Sequence, residues 1–344
     1  MKPHVLVIRL DSAGDVLLAG PAVRAVAASA GRVTLLGGPR GRAAAELLPG
    51  VDEVLEYRAA WIDPEPHPVD PERALALVER IGALDIDQAV ILTSFHQSPL
   101  PTALLLRLAG VPAIAATSMD YPGSLLDVRH QIADDVHEVE RSLSLVAELG
   151  YELAPGDDDR LAVEQRAAFP PPFGAEPYIV VHPGASVPAR TWPVERHAEL
   201  AGALAARGRN VAVTGAPDEV GVTGVVSAGG GGRVADLGGR TSLAELAEVL
   251  AGAQAIVVAN TGPAHLAAAV GTPVVSLFAP VVPAVRWRPW RVPHVLLGDQ
   301  NAECAGSRAR VCPVPGHPCL ASVSVADVVA AVDVLAPLRA EAAA

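Results

Sequence analysis

The chain has 344 residues, of which 51% are hydrophobic and 19% are charged. This composition supplies apolar side chains for about two folded domains and excludes a chain that is disordered throughout. The formal net charge of −12 argues against a nucleic-acid partner, because an acidic surface repels a polyanion. With 3% aromatic residues, a site built mainly on stacking with bases or sugar rings is not expected.

The sequence contains no apolar stretch of about 18 residues or more, so we expect no transmembrane segment. The first apolar run leads directly into Arg9 and Asp11, which a secretory signal does not tolerate. We therefore expect a cytoplasmic protein. Its net acidity also disfavours broad docking on anionic lipids.

Short apolar runs alternate with helical patterns through the first half of the chain. This alternation predicts βαβ units and a parallel sheet. The predicted elements in chain order are strand 5–10, helix 16–30, strand 33–36, helix 43–48, strand 54–55, helix 74–81, strand 88–93, helix 101–109, strand 113–116 and helix 138–149.

Proline, glycine and aspartate interrupt this pattern at 154–159 and 169–174, which is typical of a linker. We place the boundary near 155–176, with an N-terminal domain over 1–160 and a C-terminal domain over 176–344. The second half is predicted to contain strand 178–182, helix 194–206, strand 211–214, helix 218–228, strand 234–236, helix 242–251 with Thr241 as its N-cap, strand 255–259, helix 263–270, strand 274–278 and helix 325–338. The predicted fold class is α/β, with two doubly wound, Rossmann-like parallel sheets and a cleft between the domains.

Four strand-to-helix loops are candidate sites, because ligands bind beyond the carboxyl ends of strands in open α/β sheets. The first loop is LDSAGD at 10–15, where small residues let a ligand approach the backbone. Asp15 is either an acidic residue at the start of a helix or a general base that faces a cleft. Asp11 is the alternative candidate for the base. Ser12 and Gly14 lie in the same loop as Asp15.

The second loop, 182–193, suits a phosphate. Gly184, Ser186 and Arg190 offer backbone amides, a hydroxyl and a guanidinium to such a group. The alternative is an ordinary loop in which Trp192 is a packing anchor.

The third and fourth loops also follow strands of the second half. Asn260, Thr261 and Gly262 form a possible second anion cradle at the start of a helix. His265, one turn later, either reaches the same phosphate or is a buried core histidine. Glu219 either holds the two hydroxyls of a ribose or is an acidic residue at a helix N-terminus.

Metal and cofactor motifs are not apparent. Lys2 is the only lysine, which excludes a P-loop and Schiff-base catalysis. Cys304, Cys312 and Cys319 have seven and six residues between them, with His317 inside the second interval. Zinc sites usually have a tighter cysteine pair, so we expect no metal, no cofactor and free or redox-sensitive thiols.

Four segments, in chain order, resemble the motifs of one family. They are VLVIRLDSAGDVLLAGPAVRA at 5–25, YIVVHPGAS through RTWPVER at 178–196, VVANTGPAHLAAAVGTPVVSLF at 257–278 and CPVPGHPC at 312–319. The sequence resembles glycosyltransferase family 9, the heptosyltransferases that use ADP-heptose to extend lipopolysaccharide cores.

The resemblance implies a GT-B fold with the acceptor on the N-terminal domain and the nucleotide sugar on the C-terminal domain. It implies an inverting, metal-independent transfer to a hydroxyl of a glycan or natural product, with ADP-heptose as the expected donor and Asp15 as the base. Two residues depart from the family pattern. Asn260 replaces an aspartate, which affects the identity of the donor, and Arg190 replaces a lysine, which preserves the charge.

With Asp15 as the base, the resemblance implies an acceptor that lies beside Ser12 and Gly14. The other indication of an acceptor site is a basic cluster. Its members Arg129, His130, His137 and Arg141 either bind an acidic acceptor or are solvated charges that pair with the nearby acids Asp134, Asp135 and Glu140. Two other functions stay open at this point. One is a nucleotide-sugar epimerase or phosphorylase with a GT-B fold, and the other is a non-catalytic partner that binds nucleotide sugars.

Overall fold

A computed structural model describes residues 2–133, 135–164 and 167–338. The chain divides into two compact units, Met1–Glu164 and Gln165–Ala344. Asp134, offered above as a partner of the basic cluster, lies outside the described residues.

The first unit contains a six-stranded sheet in which every pairing is parallel. Its strands are β1 His4–Arg9, β2 Arg32–Gly37, β3 Glu53–Glu56, β4 Gln88–Ile91, β5 Ala113–Thr117 and β6 Val128–His130. Its helices are α1 Ala13–Leu18, α2 Gly20–Ser29, α3 Arg42–Ala45, α4 Pro71–Gly82, α5 Leu100–Leu108 and α6 Glu138–Ala147. The strand order is β3-β2-β1-β4-β5-β6, so the winding reverses between β1 and β4.

Apolar strands build the centre of this sheet. The four residues Val5, Leu6, Val7 and Ile8 of β1 are fully buried. A parallel strand covered by helices on both faces needs such a continuous apolar run rather than an alternating one. Arg9 ends this strand and is also buried, with 1% exposure.

The helix expected over 16–30 is instead two helices, α1 and α2, which meet at Ala19. Pro21 lies in the first turn of α2, where its missing N–H is tolerated and its fixed φ favours a new helix start. Strand β6 was not predicted. It has three residues, two of them polar, and lies at the edge of the sheet, so it lacks a buried-strand pattern.

The second unit contains another six-stranded sheet with only parallel pairings. Its strands are β7 Tyr178–His182, β8 Asn210–Val213, β9 Val234–Asp236, β10 Ala255–Ala259, β11 Val274–Leu277 and β12 His294–Leu297. Its helices are α7 Val194–Ala206, α8 Val220–Ser227, α9 Leu243–Ala251, α10 Gly262–Ala269, α11 Ala284–Trp287, α12 Pro318–Ala321 and α13 Val325–Leu335. The order β12-β11-β10-β7-β8-β9 repeats the winding of the first unit, with the reversal between β7 and β10. The predicted α/β class with two doubly wound sheets is confirmed.

One predicted cap in this unit is wrong. Ser242, not Thr241, is the N-cap of α9. Its hydroxyl accepts a hydrogen bond from the Glu245 amide at 3.2 Å, and the Glu245 carboxylate accepts one from the Ser242 amide at 2.8 Å. This reciprocal pair satisfies two backbone donors, which Thr241 is one residue too early to do.

Within the ranges that the structure describes, no helix has both the length and the apolarity to cross a bilayer.

Candidate active site

The loop after β1 leads to Asp15, the third residue of α1. The Asp15 side chain is 20% exposed. Its Oδ1 accepts a hydrogen bond from Nη2 of Arg9 at 3.2 Å, and its Oδ2 accepts one from the Ser12 hydroxyl at 2.7 Å. Ser12 is the N-cap residue by position, but its hydroxyl holds the carboxylate of Asp15. This carboxylate is therefore fixed in direction while it keeps access to solvent.

Arg9 is the centre of a buried polar cluster at the carboxyl ends of β1 and β4. Its Nη2 also donates to the Ser94 hydroxyl at 2.8 Å and lies 3.5 Å from Oε2 of Glu138. Its Nε lies 3.0 Å from Oδ2 of Asp11. The reversal point of a doubly wound sheet is where ligands bind, and this cluster lies at that point.

Asp11, the rival to Asp15, is buried more deeply, and its side chain is 9% exposed. One carboxylate oxygen contacts Arg9 and the other accepts a hydrogen bond from the Gln97 amide. Burial raises the pKa of Asp11 to about 6, an effect that Arg9 partly offsets. Asp15 is thus the more exposed of the two carboxylates, and Gly14, next to it, is buried in the first turn of α1.

The basic cluster of the first unit is mostly tied to the protein itself. His137 is 1% exposed, and its Nδ1 accepts a hydrogen bond from the Val139 amide as the N-cap of α6. His137 is therefore a buried cap and not a solvated charge, and an acceptor role for it stays a prediction. Arg141 is also buried, at 6% exposure, and donates to the Thr93 carbonyl.

Two residues of that cluster lie closer to the surface. Arg129 donates to the carbonyls of Ser118 and Met119, at 3.1 and 2.6 Å. His130 contacts the Ser144 hydroxyl at 3.0 Å, and burial lowers the pKa of its imidazole. An acceptor role for Arg129 and His130 stays a prediction.

In the second unit, the predicted loops after β7 and β10 come together. Arg190 donates from Nη1 to the backbone carbonyl of Asn260 at 3.2 Å. The two strands are neighbours at the winding reversal of this sheet. Ser186, in the same loop as Arg190, is exposed.

The Asn260 side chain is buried but unsatisfied. The residue is 5% exposed, and neither atom of its amide has a hydrogen-bond partner among the described residues. Burying such a group costs about 1–3 kcal/mol, so native proteins rarely retain one without a ligand, a water molecule or a function. Thr261 and Gly262 follow at the start of α10, and His265, at 5% exposure, lies one turn into that helix.

Glu219 lies directly against Gly184, which brings the predicted loops after β8 and β7 together. A Cβ at Gly184 would collide with the carboxyl group of Glu219. Oε2 of Glu219 accepts a hydrogen bond from the Ala216 amide at 2.8 Å and lies 3.8 Å from Nε2 of His182. Burial lowers the pKa of His182 to about 4, so this histidine is neutral at pH 7 and forms no ion pair there.

Arg9, Ser94 and Glu138 belong to the first cluster but were not predicted from the sequence. Arg9 carried one usable signal, since a charged residue ending a fully apolar strand must find a partner. Ser94 and Glu138 have no such signal in the sequence, because only the tertiary fold brings them to Arg9.

Cys304 and Cys319 are buried and Cys312 is half-buried, and all three are free thiols. In the part of the chain that is described, no three histidine, cysteine or acidic residues are grouped so that they could hold a metal ion.

The family model for glycosyltransferase family 9 (heptosyltransferase) matches residues 75–317. The chain belongs to glycosyltransferase family 9. The matched range includes the loops that carry Gly184, Glu219 and Asn260, whereas Asp15 lies before it.

Two curated relatives are similar to this chain in sequence. Lipopolysaccharide heptosyltransferase 3 of Escherichia coli is 29% identical over 217 residues, 58% of this chain and 60% of that protein. Lipopolysaccharide heptosyltransferase 1 of Pseudomonas aeruginosa is 35% identical over 213 residues, 60% of this chain and 58% of that protein. The matches thus span about three fifths of each relative's length.

The solved structure of E. coli ADP-heptose lps heptosyltransferase II superposes with a TM-score of 0.72 at 21% identity. The superposition covers 97% of this chain and 98% of that one. The predicted GT-B fold class is confirmed by this likeness.

Proposed function

We propose that this protein transfers a heptose, or a related sugar, from a nucleoside diphosphate donor to a hydroxyl of a glycan or natural-product acceptor. ADP-heptose is the donor that we propose first, because the structural relative described above is an ADP-heptose enzyme by name. The observation that carries the proposal is the Asp15 carboxylate, held by two hydrogen bonds at the winding reversal of its sheet and still 20% exposed.

The proposed chemistry is a single displacement with inversion. As the acceptor oxygen attacks the anomeric carbon, Asp15 takes the proton of that hydroxyl. The bond between the anomeric carbon and the phosphate oxygen breaks, and the electron pair leaves with the nucleoside diphosphate. A carboxylate can accept roughly four hydrogen bonds, so the bonds from Arg9 and Ser12 hold Asp15 without consuming its ability to take a proton.

Donor binding is assigned to the loops of the second unit. Arg190 would bind the diphosphate, whose charge grows as the bond to the sugar breaks, together with Gly184, Ser186 and the α10 start at Thr261–Gly262. Glu219 would accept hydrogen bonds from the ribose hydroxyls.

The Asn260 amide has a donor and an acceptor to satisfy, which suits a sugar hydroxyl, and His265 would reach the phosphate. An amide in place of a carboxylate at Asn260 also avoids repulsion between that side chain and the diphosphate. We propose a reaction without a metal ion, in which these donors stabilise the leaving group.

The proposal is tested by incubating the protein with ADP-heptose and a panel of carbohydrate and small-molecule hydroxyl acceptors, with the products identified by NMR. We expect ADP release, a glycosylated acceptor and an inverted anomeric configuration. A free epimer of the donor would identify an epimerase, and a sugar phosphate formed with inorganic phosphate would identify a phosphorylase. Binding of ADP without turnover on any acceptor would identify a non-catalytic partner.

A further inference from the structure

We propose that Arg9 and Glu138 are positioning residues for Asp15, and that Glu138 acts on Asp15 through Arg9. This inference rests on the transfer reaction proposed above. Arg9 and Glu138 are 129 residues apart in the sequence, and neither is a motif residue of the donor loops.

A single nitrogen of Arg9 carries the argument. Nη2 contacts Asp15 Oδ1 at 3.2 Å, Ser94 Oγ at 2.8 Å and Glu138 Oε2 at 3.5 Å. The position of this nitrogen is therefore determined by its attraction to all three partners. A change in the pull of Glu138 moves the nitrogen, and the Asp15 carboxylate moves with it.

Burial makes this arrangement depend on charge. The side chains of Arg9 and Glu138 are each 1% exposed, so neither ion has bulk water to stabilise it. Arg9 is paired with the carboxylates of Asp11, Asp15 and Glu138, of which only Asp15 is appreciably exposed. The geometry thus separates one accessible carboxylate from two buried ones that hold the guanidinium.

Glu138 lies on a helix that packs against the helix of Asp15, so its position relative to Arg9 is fixed by the fold. It is the first residue of α6, and α6 packs against both α1, which carries Asp15, and α2. Its second oxygen, Oε1, is buried without a hydrogen-bond partner in the described residues. Glu138 therefore keeps a costly buried carboxylate whose closest opposite charge is Arg9, which a purely structural helix start does not require.

The test compares Glu138→Gln with Glu140→Gln. Gln at position 138 keeps the size of the side chain and removes its charge. Glu140 lies in the same helix turn, is exposed and binds the His137 amide, so its change to Gln is a matched control. Both changes are also made in an Arg9→Met background, and thermal unfolding and ADP binding are measured to verify that each variant is folded.

We expect Glu138→Gln to lower kcat about tenfold with KM values that change less than about twofold, because a displaced base affects the chemical step and not substrate binding. Glu140→Gln is expected to leave kcat unchanged. In the Arg9→Met background, kcat is already low and Glu138→Gln is expected to have no further effect. A Glu138→Gln protein as active as Glu140→Gln, or a tenfold loss that persists without Arg9, would overturn the inference.

Crystal structures of the two variants give a readout that does not need activity. We expect the Arg9–Asp15 contact of 3.2 Å to shorten in Glu138→Gln, because Nη2 is then attracted less to residue 138, and to stay unchanged in Glu140→Gln. An unchanged contact in both variants contradicts the positioning role. A wild-type protein that transfers no sugar contradicts the proposed function instead, and the two failures are therefore distinguishable.

Discussion

Replacing Gly184 by alanine gives a sharp test of the proposed ribose site. The three atoms closest to a Cβ at this position all belong to the Glu219 carboxyl group, at distances no real contact allows. The carboxyl group must therefore leave its place. It then loses the hydrogen bond from the Ala216 amide, which is 2.8 Å long in the wild-type protein.

The size of the effect follows from that hydrogen bond and from the ribose. A hydrogen bond to a charged group contributes about 1.5–3 kcal/mol. The free energy of unfolding should fall by about 1–2 kcal/mol, because the lower backbone entropy of unfolded alanine offsets part of the loss. If Glu219 also binds the ribose hydroxyls, the affinity for ADP should fall about ten- to a hundredfold.

Titration calorimetry with ADP and chemical denaturation measure both effects. The decisive comparison is Gly184→Ala in a Glu219→Ala background, where the colliding carboxyl group is absent and the added methyl group should cost less. Gly221→Ala is the control, since among the described residues the added methyl group would meet nothing within 4 Å beyond its chain neighbours and the backbone of α8. An unchanged ADP affinity in Gly184→Ala would refute the reasoning.

Three other predictions concern the phosphate site, the buried histidines and metal dependence. Arg190→Ala should weaken ADP binding by about tenfold or more and leave adenosine binding unchanged, as calorimetry with both ligands would show; equal losses for both would contradict a phosphate contact. Burial lowers the pKa of His197 to about 3, below its value near 6.5 in the unfolded chain, so the unfolded state binds more protons and stability falls as the pH drops from 6.5 toward 3. His197→Phe should reduce the slope of the free energy of unfolding against pH by up to about 1.4 kcal/mol per pH unit, as denaturation at a series of pH values would show. Equal slopes for both proteins would contradict the assignment. Excess EDTA should leave the transfer rate unchanged, and a loss that Mg²⁺ or Mn²⁺ restores would contradict metal-independent transfer.

The main elements of the fold could be predicted because its central strands are apolar on both faces. Strand β7 and helix α7 lie where their apolar patterns placed them. Patterns fail where packing, not periodicity, defines the element. Strand β12 has four residues that are all half-buried, and the four-residue helices α11 and α12 are too short to show a helical period.

The candidate site could be predicted only as far as single loops. The sequence indicates Asp15 and Asn260 because each lies where a strand is followed by a helix. Apart from the family resemblance, the residues of the loop do not distinguish Asp15 from Asp11, because that difference comes from burial and from the contacts of Arg9. The sequence also cannot show that Glu219 lies against Gly184, since their proximity depends on the adjacency of β7 and β8.

The role of Asp15 as the base is tested most directly by comparing Asp15→Asn with Asp11→Asn in the transfer assay. We predict that Asp15→Asn lowers kcat at least about a hundredfold, the usual contribution of a general base, with ADP affinity unchanged. Asp11→Asn should retain far more activity, because Asp11 is held by Arg9 and Gln97 away from solvent. Transfer by Asp15→Asn at close to the wild-type rate would contradict the account.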